Sequence, residues 1–324
     1  MEFKKPYRNN LSLFQRVTYD QILKGLFCLR ESIKVFDSDI DSLNNIIESV
    51  KLDTPTLYYV GSFQYQLFKG LHYAILHPKY EYSGQQIESI NQQLSASINQ
   101  LKGTIQASSE RDKVVAIHDA LCSKIFYREY GQEAHSVIGA LLCSEAVCEG
   151  ISKTFKLLCD ELDIECCVVQ GQAKSDQIIG NENHSWNKVK IDSKWLNVDV
   201  TFDLTMSPRG HIRHDYLFLS DNAIKGTHFQ SRGAEFVSDI NQSDYFTANK
   251  LVMANQQQLV DYVKTSIGMR KFFIEIKLPE TRDIKTVEQK VINSVRRALT
   301  ELNVQKQINI GINKELLVFT IELL

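Results

Sequence analysis

Residue 148 is a cysteine that opens the run CEGISKTFKLLCDEL, in which Ile151, Phe155, Leu158 and Leu162 recur at the three- and four-residue spacing of one helix face. A thiol in the first turn of a helix feels the partial positive charge of the aligned peptide dipoles and of unpaired N–H groups. Both favour the thiolate, which is the nucleophile. The same N–H groups can receive the negative oxygen that forms when a nucleophile adds to a carbonyl. Gly150 lacks a side chain and would let backbone approach a substrate closely. Glu149, between the two, is a candidate for the rim of the same cleft.

A thiolate nucleophile works with a base, itself oriented by a third group. The stretch HSWNKVKIDSKWLNVDVTFD (184–203) offers both as two β-like runs joined at Asp192-Ser193. With that turn, Asp199 falls opposite Trp186, and His184 falls opposite position 201. Alternation along a strand then sends His184 and Asp199 to one face as diagonal neighbours, with Cβ atoms about 7–8 Å apart. A two-residue shift of register would put them directly opposite, and a one-residue slip would separate them. Asp203, four residues on, is the competing carboxylate; strand parity favours Asp199. Trp186 shares the face of His184 and is a candidate to line the cleft or fill the core, and His135, just upstream of Cys148, is a cleft or local hydrogen-bonding residue. Tyr127 and Tyr130 are further candidates of the same kind.

The succession of CEG at a helix start and HSWNKVKIDSKWLNVDVTFD resembles the transglutaminase-like superfamily of papain-type thiol enzymes, most of all its bacterial branch of transglutaminase and protease-like members. IHDALCSKIFY (117–127), HSVIGALL (135–142) and DYLFLSD (215–221) match the same branch, so the resemblance covers roughly residues 110–225. It implies that Cys148, His184 and Asp199 are the nucleophile, base and orienting acid. It also implies a protein or peptide substrate, with attack on a peptide or glutamine amide. Hydrolysis and amine transfer use the same three residues and stay open, as does use of the fold as a binding or assembly module with an idle triad. Ser193 stands where the family's turn usually has glycine, and Phe202 where tryptophan is common.

Elements must position these residues, and 324 residues suffice for more than one core. The expected class is α+β: the Cys148 helix packed on an antiparallel sheet, as a catalytic core over 108–245. A helical N-terminal region (1–107) would precede it and a small α+β domain (246–324) would follow. Ile87, Ile90, Leu94, Ile98, Leu101 and Ile105 mark one stripe of a helix, and DTPTLYYVGSFQYQL (53–67) reads as extended and aromatic. Ser109 and Asp112 have the spacing of a helix start. The C-terminal region, without cysteine or histidine, is expected to carry no acid–base chemistry.

Hydrophobic residues at 43% and charged residues at 23% describe a chain with a buried core. A net charge of −2 with interspersed signs argues against a binder of nucleic-acid backbone. No apolar run approaches the roughly 20 residues of a bilayer span, so no membrane insertion is expected. Seven unpatterned cysteines, and a start without an apolar leader, suggest a reduced, cytosolic protein, with an extracellular place left open if a leader preceded Met1. Neighbouring Cys166 and Cys167 should point to opposite sheet faces rather than form a redox pair. HIRH (211–214) has two histidines, but few carboxylates near in sequence, so neither a metal nor another cofactor is expected.

Overall fold

The computed structural model describes residues 3–174, 182–208, 210–239, 244–279 and 284–324. Its centre is a five-stranded antiparallel sheet with the order His228–Arg232, Cys166–Ala173, Glu182–Ile191, Lys194–Val198, Leu217–Leu219. The Cys148–Glu161 helix packs on one face, where Ile151, Phe155 and Leu158 meet Cys166, Val189, Leu196 and Val198. Trp186, Cys167 and Val169 belong to a separate apolar cluster with Tyr7, Phe236 and Val318. Cys166 and Cys167 therefore fall in different clusters, as strand alternation requires.

The hairpin has the register expected from its turn, with Asn187 opposite Val198 and Ile191 opposite Lys194. Asp192 and Ser193 both have positive φ, 50° and 63°, which gives the twist that a two-residue antiparallel connection needs. One expectation fails here. The run KWLNVDVTF does not continue as strand past Val198; Val200–Met206 is helical. Asp199 caps that helix by accepting the Phe202 N–H at 3.1 Å. A cap that satisfies an otherwise unpaired N–H outweighs the β-preference of Val200 and Thr201.

The N-terminal region is also not simply helical. Ile33–Val35, Val60–Phe68 and Tyr73–Tyr80 form a three-stranded antiparallel sheet over helices Leu13–Phe27 and Ile40–Asp53. Phe63, Tyr65 and Leu67 at alternate positions favour that strand, through their preference for a pleated, half-buried surface. The Gly84–Thr104 helix follows, capped by Ser83, and carries Leu94 and Ile98 into the core of the central sheet. Ser109 caps the next helix, Glu110–Lys124. The chain start lies against the central sheet, where the Tyr7 hydroxyl donates to the Val168 carbonyl at 2.6 Å.

The C-terminal residues form helix Gln256–Gly268, strand Phe273–Lys277, helix Ile284–Glu301 and the hairpin Ile308–Asn313/Val318–Leu323. The last strand is central in its three-stranded sheet. Leu316 and Val318 reach into the cluster around Trp186, which couples this layer to the central sheet. Among the described residues no helix is long and apolar enough to cross a membrane.

Candidate active site

Cys148 is the first residue of its helix, preceded by Val147 in extended conformation with no side-chain cap. Ile151 is the first residue whose N–H bonds back to the Val147 carbonyl, so the N–H groups of Cys148, Glu149 and Gly150 have no helical partner. The entry to the helix is fixed by its neighbours. Glu145–Ala146 pairs in parallel with Phe126–Tyr127, and the Val147 N–H donates to the Ala134 carbonyl at 3.1 Å.

Gly150 has a different role from the one its sequence position suggests. A Cβ there would lie 2.2 Å from the Ala134 oxygen and 3.0 Å from the Ser136 oxygen. The close approach shown is to the loop before the helix, and it is what seats Cys148. Gly150→Ala is therefore expected to destabilise the protein by about 1–3 kcal/mol through overpacking against rigid backbone. Urea unfolding checks this; a variant as stable as the wild type would contradict it.

On the hairpin, His184 Nε2 lies 2.6 Å from Asp199 Oδ2, and both side chains are buried. The Cys148 thiol is near enough to the same imidazole to contribute to its raised pKa, and Cys148 remains half-buried, hence reachable. With Nε2 held by the carboxylate, Nδ1 is the nitrogen left for the thiol. Asp203 does not compete: its carboxylate is bound to His118 and to the Tyr216 N–H.

One residue of the cluster escaped sequence reasoning. His228, on the edge strand, donates from Nε2 to Asp199 Oδ2 at 2.9 Å, while its Nδ1 lies 2.8 Å from the Thr227 hydroxyl. Asp199 Oδ2 thus accepts from two imidazoles and Oδ1 from the Phe202 N–H. His228 is a lone histidine in a short strand, and nothing local to it signals a pairing with residue 199. Trp186 stacks on His184 with ring centres 5.9 Å apart and donates its N–H to Asn197 Oδ1. Phe202, 5.0 Å from His184, closes another side.

The charges follow from these contacts. Burial alone would lower His184, but the Asp199 carboxylate, with a smaller share from Cys148, outweighs it and pushes the imidazole up to about 10. For Asp199, burial is overcome by His184 and His228, which hold it well below the usual carboxylate range. For His228, burial dominates and lowers it, so the ring is a neutral Nε2–H donor. A histidine whose folded-state value exceeds its unfolded value near 6.5 contributes stability that is complete below that pH. For His184 the contribution is lost as pH rises towards 10. The unfolding free energy should accordingly fall between pH 7 and 10, and less steeply in His184→Gln. Urea titrations at several pH values test this, and a flat or rising profile would refute it.

Glu149 and His135 pair with each other at 3.0 Å; His135 also meets Glu129 at 2.7 Å, and Lys153 meets Glu149 at 2.6 Å. They brace the loop against the helix start. Tyr127 is close enough to the site for Cys148, Glu182 and Asp199 to add to burial in pushing its phenol up to about 12. Tyr130 instead neighbours Cys143. The HIRH pair is split. His211 stacks on Phe273, while His214 lies between the carboxylates of Asp119 and Glu275, which are remote in sequence.

Residues 98–200 match the sequence model of the Transglutaminase-like superfamily. Kyphoscoliosis peptidase of Mus musculus is 24% identical over 220 residues, 61% of this chain and 31% of that protein. The Homo sapiens protein of the same name is 23% identical over 206 residues, 57% of this chain and 29% of that one. The match thus spans less than a third of the length of either curated relative. Among solved structures, a TGase aligns with a TM-score of 0.32 at 15% identity, over 56% of this chain and 53% of that one. The periplasmic domain of TgpA from Pseudomonas aeruginosa aligns with a TM-score of 0.27 at 14% identity, over 40% and 53% of the two chains.

Proposed function

From a transglutaminase-like domain over residues 98–200, we propose that this chain is a thiol-dependent acyl-transfer enzyme with Cys148 as nucleophile, His184 as acid–base and Asp199 as the orienting carboxylate. The observation that carries the proposal is the buried His184–Asp199 hydrogen bond next to Cys148 at the uncapped start of a helix.

In this mechanism Cys148 Sγ adds to the carbonyl carbon of a peptide or glutamine amide, its proton passing to His184. The carbonyl oxygen becomes an oxyanion, which the free N–H groups of the first helical turn can receive. Collapse breaks the C–N bond, the leaving amine takes the proton from His184, and a thioester remains on Cys148. Water then gives a carboxylic acid, the protease or amidase outcome; an amine gives a new amide, the transglutaminase outcome. Hydrolysis is favoured, because water reaches any open thioester whereas transfer needs a shaped acceptor site.

Alkylation by iodoacetamide across pH 4–9, read at each cysteine by mass spectrometry, tests the nucleophile. At pH 6 Cys148 should react at least about tenfold faster than exposed Cys28 and Cys143, because the neighbouring His184 imidazole activates it as a nucleophile. His184→Gln should remove that advantage. Equal rates at the three thiols would sink the enzyme and favour a protein-binding use of the fold.

A further inference from the structure

A second polar cluster lies outside the triad. His118 and Asp119 come from the Glu110–Lys124 helix, His214 from the segment before strand Leu217–Leu219, Asp203 from the Val200–Met206 helix and Glu275 from strand Phe273–Lys277. We propose that His118, Asp119 and His214 bind one divalent transition-metal ion of the zinc class.

The geometry is close to that of a loaded site. Asp119 Oδ1 lies 2.9 Å from His118 Nδ1 and 3.1 Å from His214 Nε2, and the three ligand atoms are all within 4.8 Å of one another. Ligand atoms about 2.0–2.1 Å from a tetrahedral zinc ion are about 3.3 Å apart, so small movements admit the ion.

Each imidazole is also oriented at its far nitrogen by a carboxylate. His118 Nε2 faces Asp203 Oδ2 at 3.1 Å, and His214 Nδ1 faces Glu275 Oε2 at 2.7 Å. Those carboxylates are held in turn, Asp203 by the Tyr216 N–H and Glu275 by the His214 N–H. Carboxylates behind metal-binding histidines fix the ring and its tautomer in this way. When the far nitrogens donate outward, two lone pairs turn towards the anionic Asp119 oxygen, and a shared cation settles that arrangement. Tyr245 stacks on His214 at 4.1 Å and fixes the ring further.

Access and selectivity agree with this assignment. His118 is fully buried, but the Asp119 side chain is 37% exposed, so the cluster borders solvent. Two nitrogens and one oxygen suit zinc, cobalt or nickel; calcium and magnesium prefer sets made of oxygen. Cys122 Sγ approaches His118 at Nε2, 3.7 Å away, and so stands outside the ligand set. The bound ion would join the Glu110–Lys124 helix, through His214 and Glu275, to the C-terminal sheet.

Titration of the metal-free 324-residue chain with Co²⁺, followed by visible absorption, tests the site. One equivalent should give tetrahedral ligand-field bands without a sulfur-to-cobalt charge-transfer band, and Zn²⁺ should displace it. Asp119→Asn, which keeps the size of the side chain and removes its charge, should weaken binding at least 100-fold, and Glu275→Gln 10–100-fold. Cys148→Ala should bind as the wild type does. No saturable binding, a thiolate charge-transfer band, unchanged affinity in both carboxylate variants, or loss of binding in Cys148→Ala would each overturn the proposal.

Discussion

Cys148→Ala is expected to reduce cleavage of casein, and incorporation of an amine into a glutaminyl peptide, to background, a loss on the order of 10⁴-fold or more. The reason lies in the division of labour at the site. His184 and Asp199 form a buried pair at 2.6 Å, but without the thiol neither of them supplies the nucleophile that would carry the covalent intermediate. Cys148 is half-buried at the start of its helix and is absent from the apolar clusters. Stability should therefore stay within about 0.5 kcal/mol of the wild type, as for surface positions generally. Asp199→Asn should cost roughly 10³–10⁴-fold, because an amide there can donate to His184 and select the wrong tautomer. His228 and the Phe202 N–H would remain to hold the side chain in place. Turnover in Cys148→Ala at more than a hundredth of the wild-type rate would remove this cysteine from the mechanism.

The largest effect on stability is expected at Lys156. Its side chain is fully buried on the Cys148–Glu161 helix and donates to both oxygens of Asp160 at 2.7 Å and to the Lys4 carbonyl at 2.9 Å. Among the described residues Asp160 otherwise accepts a long bond of 3.2 Å from the Lys4 N–H. Lys156→Met keeps the volume but strands a buried carboxylate, which should cost about 3–5 kcal/mol at pH 7.5. Burial already pushes Asp160 up to about 6 against the pull of Lys156, and the variant raises it further. A carboxyl raised in the folded state is penalised as pH rises through its folded value. The deficit of Lys156→Met should therefore shrink at pH 5, where Asp160 takes up a proton, and Lys156→Met/Asp160→Leu should recover most of the loss. Urea unfolding of the two variants at pH 5 and pH 7.5 gives the cycle. A single variant within about 1 kcal/mol of the wild type at pH 7.5 would show that the pair is not needed.

What could be read from the chain alone was short-range. The helix behind Cys148 follows from its three- and four-residue apolar spacing, and the 184–198 hairpin from a two-residue turn and strand alternation, which also set the register. Those two elements carry Cys148, His184 and the approach to Asp199. The change to helix after Val198 was hidden by β-branched residues, because the cap that decided it is a side-chain contact rather than a propensity. Likewise, Gly150 signalled a close approach without saying to what; the Ala134 carbonyl decided that.

Only the tertiary structure brought together the groups far apart in sequence. His228 meets Asp199 across 29 residues, His214 meets Glu275 across 61, and His118 meets Asp203 across 85. Periodicity and turn chemistry describe a chain over a few residues, since they arise from backbone geometry and near-neighbour contacts. A buried charge instead takes whichever partner the packed layers present, because leaving it unpaired is costly. The sequence therefore determined where Cys148 and His184 would stand. Packing decided what holds Asp199 in place and which carboxylates surround the second pair of histidines.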